Sequence, residues 1–541
     1  MNGWSKGDAR FLGWCPMHRW MDKILLVQER RWVILLLLLT SALRLFAAVT
    51  VELGNDEVYY RMYAGHLQWN YFDHPPMVAW VIRLFTLNLL ADYDVMIRMA
   101  SLFFAAASTW MMFRCGELLH SARAGMLASV LYASSIYCSV IAGTFIMPDS
   151  PQVFFWIMAL YHGLHIANEQ TTPQQLTRSL LLFGVFTGLG MLSKVHTVFL
   201  WGGLGLYLLF YRRSLLRHPA LYVAVFIMML LFSPVIWWNI GNGFATFFFH
   251  GKRVDVAAGQ ISIERMLTFV AGQIVYCNPV VFGIITAGLL KRSPFPSAAH
   301  RRILFCTSLP LIGVATAGAL FRDLLPHWTG PGFIALILLA AVSIAAKPVE
   351  GGAMLPPVFK IALGLLCFVV LAGSLLVNIF PGTLGSKDDR RLGDGDFTLD
   401  MYGWEEAGEK FAGIYRARHG SGASADSALL LCEKWFPAAH LQHYVTAGLP
   451  VRLIALGPVE DIHQYHWENL RQGLPADSVD LYWVNPSNYY ADLQSNPLLA
   501  PLQPVAIDTI IQYRGGLPAR KFYVHYFGRQ RVSIPGFHLS P

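Results

Sequence analysis

Residues 32–57 read WVILLLLLTSALRLFAAVTVELGNDE, an apolar run that ends on a pair of acids. Trp32 to Thr50 matches the roughly 20 residues that a helix needs to cross a bilayer core. It is longer than the core of a secretory leader and no small-residue cleavage site follows it, so it is expected to stay in the protein. Upstream lie Lys6, Arg10, Arg19, Lys23, Arg30 and Arg31, and basic flanks of this kind mark the cytoplasmic side. Residues 1–31 are therefore expected to be a cytoplasmic N-terminal segment, with Asp56 and Glu57 emerging on the outer face.

Similar runs recur along the chain. Of its 541 residues 55% are hydrophobic and 14% charged, too apolar for an ordinary soluble protein. Further apolar stretches lie at about 95–117, 125–144, 150–168, 220–238, 267–290, 303–321, 328–346 and 359–380. Leu180 to Tyr211 is too long for one span and short for two, and its middle, GMLSKVHTV, is polar enough to break a helix. Read as a tight hairpin, it brings the expectation to about eleven membrane helices over residues 32–380. The net charge of +8 comes from Lys and Arg scattered through short loops, which fits membrane topology and not a nucleic-acid surface. The seven cysteines show no paired spacing, so neither a disulfide framework nor a zinc site is implied.

With this topology one set of loops faces outward: 51–77, the turn FIMPDSP, the turn at Lys194, Trp238 to Met266, and FRDLLPHW. The opposite loops, among them SAR and RRSLLRH, hold basic residues and little else. After Pro381, residues 381–396 read as a Gly-rich and charged linker. Residues 397–541 then form an outer α/β domain: Trp404, Ala407, Phe411 and Ile414 recur at helical spacing, ALLLC reads as a strand, PAAHLQHYVTAG as a helix and VRLIAL as a second strand.

Acids beside a membrane segment are costly and therefore functional candidates. Asp56 and Glu57 also suit the first turn of a helix, with Asn55 or Asp56 as its cap, so one acid alone would carry little. The wider pattern carries more. NDEVYYRMYAGHLQW and YFDHPPMVAW, then MPDSP, LSKVHTV, WWNIGNGFATFFFHGKR and LLPHWTGPGFIAL follow one another over roughly residues 30–345. In order and spacing they resemble the GT-C superfamily, in particular bacterial relatives of the protein O-mannosyltransferases and the aminoarabinose transferase of lipid A.

That resemblance implies a polytopic α-helical GT-C fold in a bacterial inner membrane, with the C-terminal domain periplasmic or extracellular. It implies a glycosyltransferase that takes a sugar from a polyprenyl phosphate, of the undecaprenyl type, and passes it with inversion to a glycan, lipid or protein acceptor. It assigns the general base to Asp56, with Glu57 second. Asp73, His74, Asp149, Lys194, Arg253, Arg322, His327 and Tyr59 are the implied donor and phosphate residues. A developing phosphate charge needs fixed cations in a partly dry site. A lone Lys194 in an apolar hairpin costs roughly 2.5 to 3.5 kcal/mol unless paired, and Asp149 is its candidate structural partner. Asp149 also suits the cap of the helix that follows it, while Arg253 and Arg322 equally suit interfacial anchors. Where the aminoarabinose transferase has an acid, a lysine and two prolines, this chain has Asp73, His74, Pro75 and Pro76, which weakens the phosphate clamp at that point. Oligosaccharyltransferases of the superfamily use acids around a divalent ion, but no Asp-x-Asp occurs in this loop, so no obligatory metal or other cofactor is expected. A transporter or flippase of a lipid-linked sugar is the rival reading; it expects polar residues at midplane and repeat symmetry.

Overall fold

The computed structural model describes residues 16–255, 260–290, 295–347, 354–419, 428–475, 478–497 and 499–530, with side chains from residue 28 onward. The basic residues Lys6, Arg10, Arg19 and Lys23 thus fall outside the described side chains. Fifteen helices precede the linker: α1 Pro16–Thr50, α2 Asn55–Gly65, α3 Met77–Phe85, α4 Asp94–Leu119, α5 Ala122–Ser134, α6 Asp149–Ala167, α7 Pro173–Ser193, α8 Phe199–Tyr211, α9 Pro219–Gly241, α10 Ala245–Val254, α11 Ile263–Cys277, α12 Pro279–Leu290, α13 Ala298–Gly318, α14 Gly330–Ala345 and α15 Pro357–Ile379. Six described helices are long and apolar enough to cross a membrane, or seven when α11 and α12 count as one bent span. The other expected spans are helical but shorter, interrupted or more polar, as in α6 with Gln152, His162 and His165.

Two breaks shape this bundle. At the end of α7, Lys194 is extended, and a short 3-10 turn, Val195–Val198, leads into α8, where the sequence places its hairpin. The stretch expected as a single span at 267–290 is bent by 99° between α11 and α12. Asn278 forms the joint with φ +74°; its side-chain amide donates to the carbonyls of Ser134 and Ala362, and its Oδ1 accepts from the Val280 N–H. One polar side chain thus satisfies the Val280 N–H that the break would orphan and ties the joint to α5 and α15.

Beyond residue 380 come α16 Trp404–His419, β1 Ala428–Glu433, α17 Trp435–His440, β2 Val451–Leu456, α18 Val459–Ile462, α19 Tyr465–Gln472, β3 Val479–Pro486, β4 Ala506–Arg514 and β5 Leu517–Gln530. The strands form one sheet in the order β2-β1-β3-β5-β4; β1 pairs parallel with β2 and β3, and β5 antiparallel with β3 and β4. The strand-helix-strand expectation holds as β1-α17-β2. The stretch expected as a linker is tied to the sheet: Asp396 and Arg514 form a fully buried ion pair at 2.9 Å, and the Gly382 N–H donates to the Arg514 carbonyl.

The segment between α1 and α3, which includes α2, lies between the two halves. Val58, Tyr59, Tyr60 and Tyr63 of α2 share one hydrophobic core with Trp404, Ala439 and Val484 of the C-terminal domain. The α/β domain therefore packs against the loop that carries the acids, and this contact positions the site.

Candidate active site

Adjacent residues on a helix point about 100° apart, so Asp56 and Glu57 cannot serve the same surface. Glu57 turns inward. It accepts from the Gly54 N–H at 2.9 Å, capping α2, and from Arg98 at 2.8 and 2.5 Å and the Ile146 N–H at 3.0 Å. It does not line the cavity described below, so its reading as a second base is corrected to that of a structural anchor. The cap itself is Gly54, not Asn55 or Asp56, because the Glu57 side chain takes over the capping bond. Asn55 instead bridges to Asp400 and His440 of the C-terminal domain.

This arrangement leaves Asp56 free to face a cavity of about 890 Å³. Its residue is exposed to that space, yet enough protein surrounds the carboxyl that burial raises it to about 6, with His74 pulling the other way. Near it stand Tyr60, Asp73 and His74. His74 Nδ1 is 3.5 Å from Asp73 Oδ2, and its Nε2 is 3.5 Å from the Tyr60 hydroxyl. Burial alone would raise the Asp73 carboxyl, but His74, His463 and a hydrogen bond from Tyr63 hold it well below the usual carboxylate range.

Across the cavity Lys194 donates to Asp149 Oδ2 at 2.7 Å, and Tyr137 donates to Asp149 Oδ1 at 2.8 Å. Asp149 opens α6 without capping it, since its oxygens are spent on these two partners. The pairing foreseen for Lys194 is present, and the residue still borders the cavity. An ammonium has three donors, so one bond to Asp149 leaves others for a ligand oxygen. Arg253, at the end of α10, lies 4.5 Å from the centre of the Phe249 ring, and Arg322 donates to the Asp255 carbonyl at 2.7 Å. Both arginines and His327 also line the cavity.

Of the residues singled out in the sequence, Asp56, Asp73, His74, Asp149, Lys194, Arg253, Arg322 and His327 meet at this one space, whereas Glu57 and Tyr59 do not. Tyr59 is corrected from a donor contact to a support: its hydroxyl donates to Asp73 at 3.3 Å and accepts from the Gln464 N–H at 3.0 Å. Sequence reasoning passed over His250, whose Nε2 donates to the Asp73 carbonyl at 2.7 Å, and two side chains of the C-terminal domain, Trp435 and His463. Burial lowers His250 to about 4, which keeps it neutral. His250 lies within the quoted stretch WWNIGNGFATFFFHGKR without having been singled out, whereas no local motif marks Trp435 and His463, which long-range packing brings here. The lining also includes the apolar residues Val254, Leu311, Val314 and Phe321. Among the described residues no group of three or more His, Cys, Asp or Glu has an arrangement able to hold a metal ion.

The chain has the fold of the GT-C glycosyltransferase ArnT, and part of it matches a glycosyltransferase family. Residues 73–238 match the family of dolichyl-phosphate-mannose-protein mannosyltransferases. The lipid A galacturonosyltransferase RgtD of Rhizobium johnstonii is 23% identical over 312 residues, 55% of this chain and 61% of that protein, so the match spans about three fifths of the relative's length. Among solved structures, ArnT from Cupriavidus metallidurans in the apo state superposes with a TM-score of 0.59 at 14% identity, over 92% of this chain and 98% of that one. ArnT bound to undecaprenyl phosphate gives 0.59 at 15%, over 91% and 98%. At that identity the likeness concerns the fold.

Proposed function

We propose that the protein is an inverting membrane glycosyltransferase that moves a sugar from a polyprenyl phosphate, of the undecaprenyl type, to a hydroxyl of lipid A, a glycan or a protein at the outer face of a bacterial inner membrane. The observation that carries this reading is the cavity itself. Its lining combines apolar residues that suit an isoprenoid chain with Asp56, whose raised carboxyl has no hydrogen-bond partner among the described residues, and with the buried Lys194 and the arginines Arg253 and Arg322. The relatives add support: one acts on lipid A by name and another was solved with undecaprenyl phosphate.

In this reading the acceptor hydroxyl attacks the anomeric carbon while Asp56 takes its proton. The bond from that carbon to the phosphate oxygen breaks, and the electron pair leaves with the phosphate. Lys194, Arg253 and Arg322 meet the charge that develops there. His74 joins Asp73 and Tyr60 in orienting the sugar. No metal is required in this scheme. About eleven spans, an inward N-terminus and an outward C-terminal domain complete the proposal. Mass spectrometry of lipid A, outer glycans and surface proteins from cells with and without the protein tests it: one sugar addition should disappear in its absence. Identical profiles would contradict it.

A further inference from the structure

Trp435, the first residue of α17, and His463, between α18 and α19, line the cavity from the C-terminal domain and have no task in the scheme above. Their rings stack with centroids 5.3 Å apart and planes 12° apart, and Tyr59 packs on Trp435 at 4.7 Å. His463 is 6% exposed. Its Nδ1 has no hydrogen-bond partner among the described residues and lies 4.0 Å from Asp73 Oδ2.

The backbone at both positions is forced. Lys434, just before Trp435, has φ +62° and ψ 152°, and His463 itself has φ +50° and ψ −128°. Residues with a side chain adopt these conformations rarely, and such strain gathers at functional sites where the surroundings hold it. The surroundings do so here: Gln464 donates its N–H to the Tyr59 hydroxyl at 3.0 Å and accepts the Phe72 N–H on Oε1 at 2.9 Å. The His463 turn is thus clasped from both sides to the segment between α1 and α3.

Stacked aromatic rings beside a buried, unpartnered nitrogen and a carboxylate match the chemistry of a sugar ring. The flat C–H surface of a pyranose packs on an aromatic wall, and a hydroxyl, donor and acceptor at once, can bridge Asp73 Oδ2 and His463 Nδ1 from beside the pair. We propose that Trp435 and His463 form a pyranose subsite which the C-terminal domain contributes to the cavity. The inference rests on the glycosyl-transfer reading and specifies it. The ring comes from the carrier-linked donor or from the acceptor.

Direct binding separates these sources without needing turnover. Full-length protein in nanodiscs is titrated with bare undecaprenyl phosphate, with undecaprenyl phosphate carrying galacturonic acid or mannose, and with lipid A. Trp435→Ala and His463→Gln should bind the bare carrier within twofold of wild type, which also shows that they fold. Trp435→Ala should lose tenfold or more for the sugar-bearing carriers if the subsite takes the donor ring, or for lipid A if it takes the acceptor ring, and Trp435→Phe should restore most of that loss. Equal affinities for all ligands in wild type and Trp435→Ala would overturn the subsite, as would a loss for the bare carrier as large as that for the sugar-bearing ones. A wild type that shows this binding pattern but transfers no sugar would sink the glycosyl-transfer reading alone.

Discussion

Asp56 and Glu57 differ in one methylene and one position, yet the helix gives them opposite duties. Glu57 is buried against Arg98, and removing one partner of a buried ion pair costs about 3 to 5 kcal/mol. Arg98→Met should therefore lower the melting temperature of the solubilised protein sharply or prevent its accumulation, while an unchanged melting temperature would deny Glu57 its anchoring role. For Asp56 the informative variable is pH. Its carboxyl is raised to about 6, so the deprotonated base is present above that value and is lost as pH falls through it. A profile of kcat/KM against pH should fall about tenfold per unit below pH 6, because that ratio reports groups of the free enzyme. A rate that stays flat down to pH 4.5 would mean that Asp56 does not act as the base. The resemblance ranked Asp56 ahead of Glu57, but the residues alone could not show which one faces the cavity, because the answer depends on Arg98 and Ile146, some 41 and 89 residues away from Glu57.

Among elements, the break between α7 and α8 is the most legible, because GMLSKVHTV carries its own polar residues and ends a helix wherever water or protein can satisfy the backbone. Its consequence is a cross-link: Lys194 at the break holds Asp149 at the start of α6. Lys194→Met would leave that acid buried without its cation, so a loss of donor binding in this variant alone is ambiguous. The pair Lys194→Met with Asp149→Asn removes both charges, and it should recover folding while donor affinity stays at least tenfold down. Donor affinity equal to wild type in the double variant would reduce Lys194 to a structural residue. The bend between α11 and α12 was marked in the sequence but passed over: Pro279 in VYCNPVV lacks an N–H and disfavours helix at Asn278, and the partners Ser134 and Ala362 show how that joint is held. The anchoring of the linker was not legible, because Arg514, more than a hundred residues on, supplies the buried partner of Asp396.

In the whole molecule, the two halves share one core and one cavity, so the division of the chain near residue 381 separates sequence types more than working units. Eight of the ten residues chosen from the sequence converge on the cavity because the family-like motifs lie in loops that the bundle gathers at one end. The contribution of the α/β domain had no such signature. If that end faces outward, reporter fusions at Gln170, in the loop between α6 and α7, and at Asp388, beyond α15, should report opposite sides of the membrane. The same side for both would remove the basis for an outward site. The central claim is that Asp56 activates the acceptor in this cavity, and its most direct test is transfer of labelled sugar from undecaprenyl phosphate by purified wild type and Asp56→Asn, scored with the acceptor that wild type uses. Asn keeps the size and most hydrogen bonding of the side chain, so donor binding should stay within a few fold. Loss of a general base typically removes about 10² to 10⁴ of the rate. A loss of that size with donor binding retained is the predicted result; transfer within about threefold of wild type, far below the expected loss, would contradict the account.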